Sequence, residues 1–282
     1  MATEVRSREA RSRAEEALVR FALLAGDHAT DFVVIGGLNP DFLAPSAPVP
    51  HLGTTDVDLL FELGFIYDRE EMDFAWLDRV LLEGGFKEIA ESGWQWNGIL
   101  GESLVRLDLL CDVTDGPGQT IVLPGASKSA VQNLDGPAAA LRDPIVRSLS
   151  VPVHVRAEVS GAPESVQLKF ASLGGYIAAK SAALLARRLD KDAYDLMFVI
   201  MFGDGGARAA AAAAAAADAP PHRTPTAQTI RRAIERIVDA NAGLVASVVS
   251  LLEQAGDDTD RAQLTTDVEL AAKQFLDAFP AP

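Results

Sequence analysis

The stretch of this chain that most suggests chemistry is GTTDVDLLFEL, residues 53–63, where Asp56 and Asp58 interrupt the apolar run Val57, Leu59, Leu60, Phe61 and Leu63. Residues two apart on a strand share a face, so the two carboxylates project together. In a buried strand each is costly unless a cation or donor meets it. Paired hard oxygens suit Mg²⁺ or Mn²⁺; Mg²⁺ takes one or two carboxylates from a protein and leaves its other positions to water and phosphate oxygens. LVRLDLLCDV, residues 104–113, offers a third carboxylate, Asp108, in a similar alternation, with Asp112 four residues on and nominally on the same side. Upstream, the turn after FVVI contains Gly36 and Gly37, whose bare backbone amides are suited to accept a triphosphate beside the aspartates. Three carboxylates on neighbouring strands suit a two-metal arrangement that activates an attacking oxygen and neutralises leaving pyrophosphate. The plainer alternatives are a solvated strand end for the Asp-x-Asp pair and an ordinary turn for the glycines.

The elements that must position these residues follow from hydrophobic period. Residues 8–26 read as a helix with an apolar stripe of Ala14, Leu18, Phe21, Ala22 and Leu24. DFVVI reads as a buried strand, and the proline-rich stretch 38–53 as a loop leading into the aspartate strand. REEMDFAWLDRVLLEGGF reads as a helix stopped at Gly84-Gly85. Two alternating segments follow, with a hairpin turn expected at Asn97-Gly98. PVHVRAEVSGAPESVQLKFAS reads as β-like, and after it the chain is helical in pattern, including nine consecutive alanines at 209–217 read as a helical extension or a surface insert.

Composition bounds the function. With 282 residues and 49% apolar content there is ample material for one or two cored domains. A formal net charge of −15 argues against a general nucleic-acid coat, so any RNA contact must be local. The single cysteine, Cys111, excludes an intramolecular disulfide and reads as a buried apolar residue in a reducing cytoplasm. No apolar run reaches the ~20 residues of a membrane span, and the charged, helical start is unlike a secretory signal. Trp94 and Trp96 alternate and are read as sheet cover in preference to a base-stacking platform.

Taken together, VVIGGL, GTTDVDLLFEL, VRLDLL and the distant YIAAKSAALLARRLDKDAYDLMFVI resemble the AbiEii family of nucleotidyltransferase toxins, which includes the mycobacterial MenT enzymes and belongs to the DNA polymerase β-like nucleotidyltransferase superfamily. The resemblance spans about residues 31–202. It implies transfer of a nucleoside monophosphate from an NTP to an acceptor, the 3′ end of tRNA in MenT enzymes, and a cognate antitoxin as protein partner. Carried over, Gly36 and Gly37 would be the phosphate-turn glycines, Thr54 and Thr55 nucleotide-binding residues, and Asp56 and Asp58 the metal pair. Asp108 would be a further metal ligand taken from the wider superfamily. Lys180 resembles the family's helix lysine, placed on the triphosphate, and Asp192 or Asp195 its downstream catalytic aspartate. Leu52 departs from the family pattern, standing where an arginine is common.

Several of these residues have competing readings. Lys180 lies among apolar neighbours and must snorkel or meet an anion. The Asp192–Asp195 spacing also fits a salt bridge with Lys191. Arg187 and Arg188 suit either an RNA edge or the end of a helix dipole. His51 reads as a solvated loop histidine or a partial substitute for the missing arginine.

The fold expected is α/β: a small mixed-sheet nucleotidyltransferase core, residues 1–165, followed by a mainly helical C-terminal domain, residues 166–282, carrying the alanine-rich insert. The rival functions are a small-molecule, aminoglycoside-type nucleotidyltransferase and a catalytically inactive nucleotide-binding member.

Overall fold

The computed structural model describes residues 6–63, 71–100, 103–116, 118–159, 161–217 and 226–280. In chain order, α1 (Arg8–Ala25) leads to β1 (Phe32–Ile35), α2 (Pro40–Leu43), β2 (Asp56–Phe61) and α3 (Ala75–Glu83). Then come β3 (Lys87–Glu88), β4 (Gln95–Leu100), β5 (Ser103–Cys111), β6 (Thr120–Val122) and β7 (Ala130–Asn133). β8 (Ile145–Ser150), α4 (Val153–Glu158) and β9 (Ser165–Phe170) follow. The rest is helical: α5 (Leu173–Arg187), α6 (Asp190–Phe202), α7 (Gly206–Ala216), α8 (Thr226–Val238), α9 (Leu244–Gln254) and α10 (Arg261–Ala278). The fold is therefore α/β, a mixed sheet with helices and a helical C-terminal region.

The chain divides into two compact units. The first comprises Met1–Leu38, Gly53–Asp135 and Pro144–Phe170 and holds the sheet. Its described strands run in the order β3-β4-β5-β2-β1-β9-β8, with β7 on β5 and β6 on β7. β2 and β5 are parallel and central, and β1 is antiparallel to β2. Alternation sorts their side chains: Val57, Leu59, Leu107 and Leu109 are fully buried, while Asp56, Asp58, Arg106 and Asp108 take the opposite face. On the apolar side Phe21 of α1 packs against Phe32, Trp76 and Phe86, at ring-centroid distances of 5.6, 6.4 and 6.4 Å. α1 begins where the Ser7 hydroxyl accepts from Ala10 N–H. α3 stops at Gly84, as the glycine pair predicts.

Asp78 of α3 ties this helix to the turn before β7. Its carboxylate accepts from the N–H of Ser127, Lys128 and Ser129 and from the hydroxyls of Ser127 and Ser129. Burial by itself would raise the Asp78 pKa, but the hydrogen bonds from Ser129 and Ser127 outweigh it and bring the carboxyl down to about 2. With the unfolded value near 3.8, the ionised clamp stabilises the fold above that pH, and the contribution is lost as pH falls through about 2. We expect Asp78→Ala to cost about 1–2 kcal/mol at neutral pH, discounted for its partial exposure, and the gap from wild type to close in acid-unfolding curves below about pH 4.

The second unit comprises Asn39–Leu52, Gly136–Asp143 and Ala171–Pro282. α8 buries Ile230, Ala233, Ile234 and Ile237 from one amphipathic face. The alanine tract forms most of α7, which buries Ala207, Ala210, Ala211 and Ala214 at helical spacing, so it is a packed helix and not a loose surface insert. Among the described residues no single helix is long and apolar enough to cross a membrane.

Three local expectations are corrected. Asn97 and Gly98 lie inside β4, paired with Arg106 and Val105, and the strands join through residues 101–102, outside the described residues. A Cβ on Gly98 would come within 2.8 Å of the Phe86 ring, so this glycine makes room for an aromatic and does not form a turn. The stretch 38–53 contains the short helix α2, started by Pro40 at its first position. Residues 153–158, whose V-H-V-R alternation suggests a strand, are helical after Pro152, which has no N–H to extend β8.

Candidate functional site

The sheet register assembles the first group of candidate residues. Asp56 pairs with Arg106 and Asp58 with Asp108 across the parallel β2–β5 ladder, so all four side chains leave the same face. Ile35 pairs with Asp58 across β1–β2, which brings the next residue, Gly36, onto that aspartate. Gly36 has φ +84°, and a Cβ there would lie 1.9 Å from Asp58 Oδ2. Gly37 is also closely placed, since its Cβ would lie 2.5 Å from Thr54 Cβ. The Thr54 hydroxyl accepts from Asp56 N–H at 3.1 Å, and the Thr55 hydroxyl donates to Asp56 Oδ1 at 3.2 Å. Gly36, Gly37, Thr54, Thr55, Asp56, Asp58 and Asp108 are thus one connected patch around the starts of β2 and the exit of β1.

Its charge is partly compensated from within. Arg106 donates through Nη2 to Asp56 Oδ2 at 2.7 Å and its Nε lies 3.1 Å from Asp108 Oδ1. Gln95 donates from its side-chain amide to Asp108 Oδ1 at 3.2 Å. Burial, and after it the charge of Asp58, push the Asp108 carboxyl up to about 7 against the pull of Arg106. Burial works against the Arg106 charge, yet Asp108, Asp56 and Asp58 together raise its pKa further above the ordinary value. Arg106 and Gln95 did not stand out among the residues selected by spacing, although Arg106 precedes Asp108 by two in the same alternation and so had to share its face. Asp112, nominally on this side, lies past the end of β5 at Cys111.

Among the described residues no three Asp, Glu, His or Cys side chains converge as a preformed metal cage. The donor set nonetheless fits Mg²⁺ or Mn²⁺ in the form those ions usually take, with two carboxylate oxygens from Asp56 and Asp58 and the remaining positions left to water and phosphate. The turn at Gly36 and Gly37, which a Cβ would fill, leaves backbone alone beside Asp58 and Thr54.

The second group, Lys180, Asp192 and Asp195, lies in the other unit and is buried there. Lys180 Nζ is 2.7 Å from Asp195 Oδ2 and 3.5 Å from Asp192 Oδ1. Arg187 donates to Asp192 Oδ1 at 2.9 Å. His51 Nε2 is 3.0 Å from Asp195 Oδ1, and its ring stacks on Tyr194 at 4.9 Å. The anion that Lys180 meets is therefore an aspartate of its own unit, and the lysine bridging Asp192 and Asp195 is Lys180. His51 is 1% exposed, not solvated, and belongs to the same buried network. Trp96 is buried with Nε1 donating to the Gly93 carbonyl, in keeping with sheet cover, and Cys111 is buried.

Comparison with known protein families and with characterised proteins returned no match.

Proposed function

We propose that this chain is a metal-dependent nucleotidyltransferase of the AbiEii/MenT-like type, moving a nucleoside monophosphate from an NTP to the 3′ end of tRNA as the toxin of a toxin–antitoxin pair. The observation that carries the chemistry is the glycine turn seated on Asp58 and Thr54, beside three carboxylates aligned on one face of β2 and β5. The tRNA acceptor and the antitoxin rest on the sequence resemblance.

Asp56 and Asp58 would hold Mg²⁺ or Mn²⁺, and a bound ion would neutralise the triphosphate and polarise the α-phosphate. The backbone N–H groups at Gly36 and Gly37 would orient the phosphate oxygens, at a turn where a Cβ would collide with Asp58 and Thr54. Thr55 fixes one oxygen of Asp56 and Thr54 fixes its backbone, which limits the motion of that carboxylate. Asp108 stands on the same face, its pKa raised first by burial and then by the charge of Asp58.

The test is incubation of the protein with Mg²⁺ and each α-labelled NTP, in separate arms containing total tRNA, an aminoglycoside mixture, or no acceptor. Label on tRNA, absent from Asp56→Ala/Asp58→Ala, is the expected result. Label on the aminoglycosides would transfer the reading to a small-molecule enzyme. Saturable NTP binding without transfer in any arm would make the chain a nucleotide-binding member that has lost turnover.

A further inference from the structure

Arg106 has no work in the scheme above, yet it occupies the centre of the carboxylate patch. Its Nη2 and Nε reach Asp56 and Asp108 from one guanidinium, its backbone N–H donates to the Thr55 carbonyl at 3.2 Å, and it stands opposite Asp56 in the ladder. Its side chain is 38% exposed, against 16% for Asp56 and 10% for Asp108, so it is the most exposed of the three. With Thr55 on Oδ1 and Arg106 on Oδ2, each oxygen of Asp56 already has a donor.

A divalent ion ligated by Asp56 at about 2.1 Å would sit against a guanidinium hydrogen-bonded to the same carboxylate, and two cations at that range repel. Metal binding therefore favours release of Asp56 by Arg106. The released side chain remains anchored at β5, next to the strand that carries the metal pair, and its planar fork matches phosphate oxygens in a bidentate fashion.

Resting on the nucleotidyltransferase reading, we infer that Arg106 is an exchangeable counter-cation: it neutralises Asp56 and Asp108 in the nucleotide-free chain and passes to the triphosphate when a divalent ion takes its place. Metal and nucleotide then bind as a coupled pair, because each favours the position of Arg106 that the other needs. Metal alone must compete with an internal cation, while metal with NTP offers that cation a new partner.

The experiment uses the full chain and titrates Mn²⁺, by calorimetry and by loss of the free-ion electron paramagnetic resonance signal, with and without an NTP whose α,β-bridge is unreactive. Wild type is expected to bind Mn²⁺ weakly alone and about tenfold or more tightly with the nucleotide. In Arg106→Gln, Mn²⁺ alone should bind about tenfold more tightly than in wild type, and the Mn²⁺-dependent nucleotide affinity should fall by about tenfold or more. Arg106→Lys, which keeps the charge on the patch without the planar fork, should retain the weak metal affinity and still lose nucleotide affinity, which separates the charge from general damage to the fold. Unchanged Mn²⁺ affinity in Arg106→Gln, with wild-type nucleotide binding intact, would overturn the exchange alone. Absence of metal-dependent nucleotide binding in the wild type would overturn the functional reading, and this inference with it.

Discussion

Replacing Gly36 with alanine should strongly weaken metal-dependent nucleotide binding while leaving a folded protein. The new Cβ would fall 1.9 Å from Asp58 Oδ2 and 2.8 Å from Asp58 Cγ, so the carboxylate must turn away from its present position. The backbone itself is at φ +84°, where an L side chain adds about 1–2 kcal/mol of strain. Together these should lower the midpoint of denaturant unfolding modestly, by about 2–3 kcal/mol in stability. Nucleotide affinity in the presence of Mn²⁺ should fall by about 100-fold, since misplacing one of two metal ligands removes an interaction worth several kcal/mol. Gly85 provides the control: it also has positive φ, at +77°, but a Cβ there meets nothing within 4 Å, so Gly85→Ala should show strain without loss of binding. Equal nucleotide affinity in Gly36→Ala and wild type would mean that the turn and Asp58 do not form a site.

The largest loss of stability is expected from Lys180→Met. Asp192 and Asp195 are both 0% exposed and Lys180 is 6% exposed, so the ammonium is a principal counter-charge to two buried carboxylates. Removing it takes the ammonium from both buried carboxylates, Asp195 keeping the His51 ring and Asp192 keeping Arg187, at a cost of about 3–5 kcal/mol. The double variant Lys180→Met/Asp195→Leu should recover much of that loss, because an apolar replacement of a buried ion pair is often near neutral. Urea unfolding of the three proteins measures both effects. A single-variant cost below about 1 kcal/mol would show that Asp195 and Asp192 are not held as ions by Lys180.

What could be read from sequence here was what local periodicity determines. Asp56 and Asp58 on one face, the stripe of α1 and the stop at Gly84 each depend on residues within a turn or two of one another. The carboxylate patch was legible for the same reason, since β2 and β5 both alternate, and only their register was needed to place Asp58 beside Asp108. Arg106 obeys the same alternation, but an arginine two residues before Asp108 carries no metal-ligand signal of its own. Other features depend on distant partners. His51 read as a loop residue because its partner Asp195 is 144 positions away. Lys180 could be identified as needing an anion from its apolar neighbours, but which anion depended on how α5 and α6 pack. Asn97-Gly98 gave a strong turn signal, and it failed because Phe86 occupies the space a side chain at 98 would need. The alanine tract carried no amphipathic contrast at all, so its buried face became visible only once α7 was packed.

The central claim is that the Gly36–Asp58 patch binds a metal–nucleotide complex, and the most direct test is equilibrium binding of an unreactive NTP analogue to the wild type and to Asp58→Asn, with and without Mn²⁺. The expected result is saturable binding that requires Mn²⁺ and weakens by about 100-fold in Asp58→Asn, a change of roughly 2.7 kcal/mol. Binding that is independent of the ion, or that survives unchanged in the variant, would contradict it.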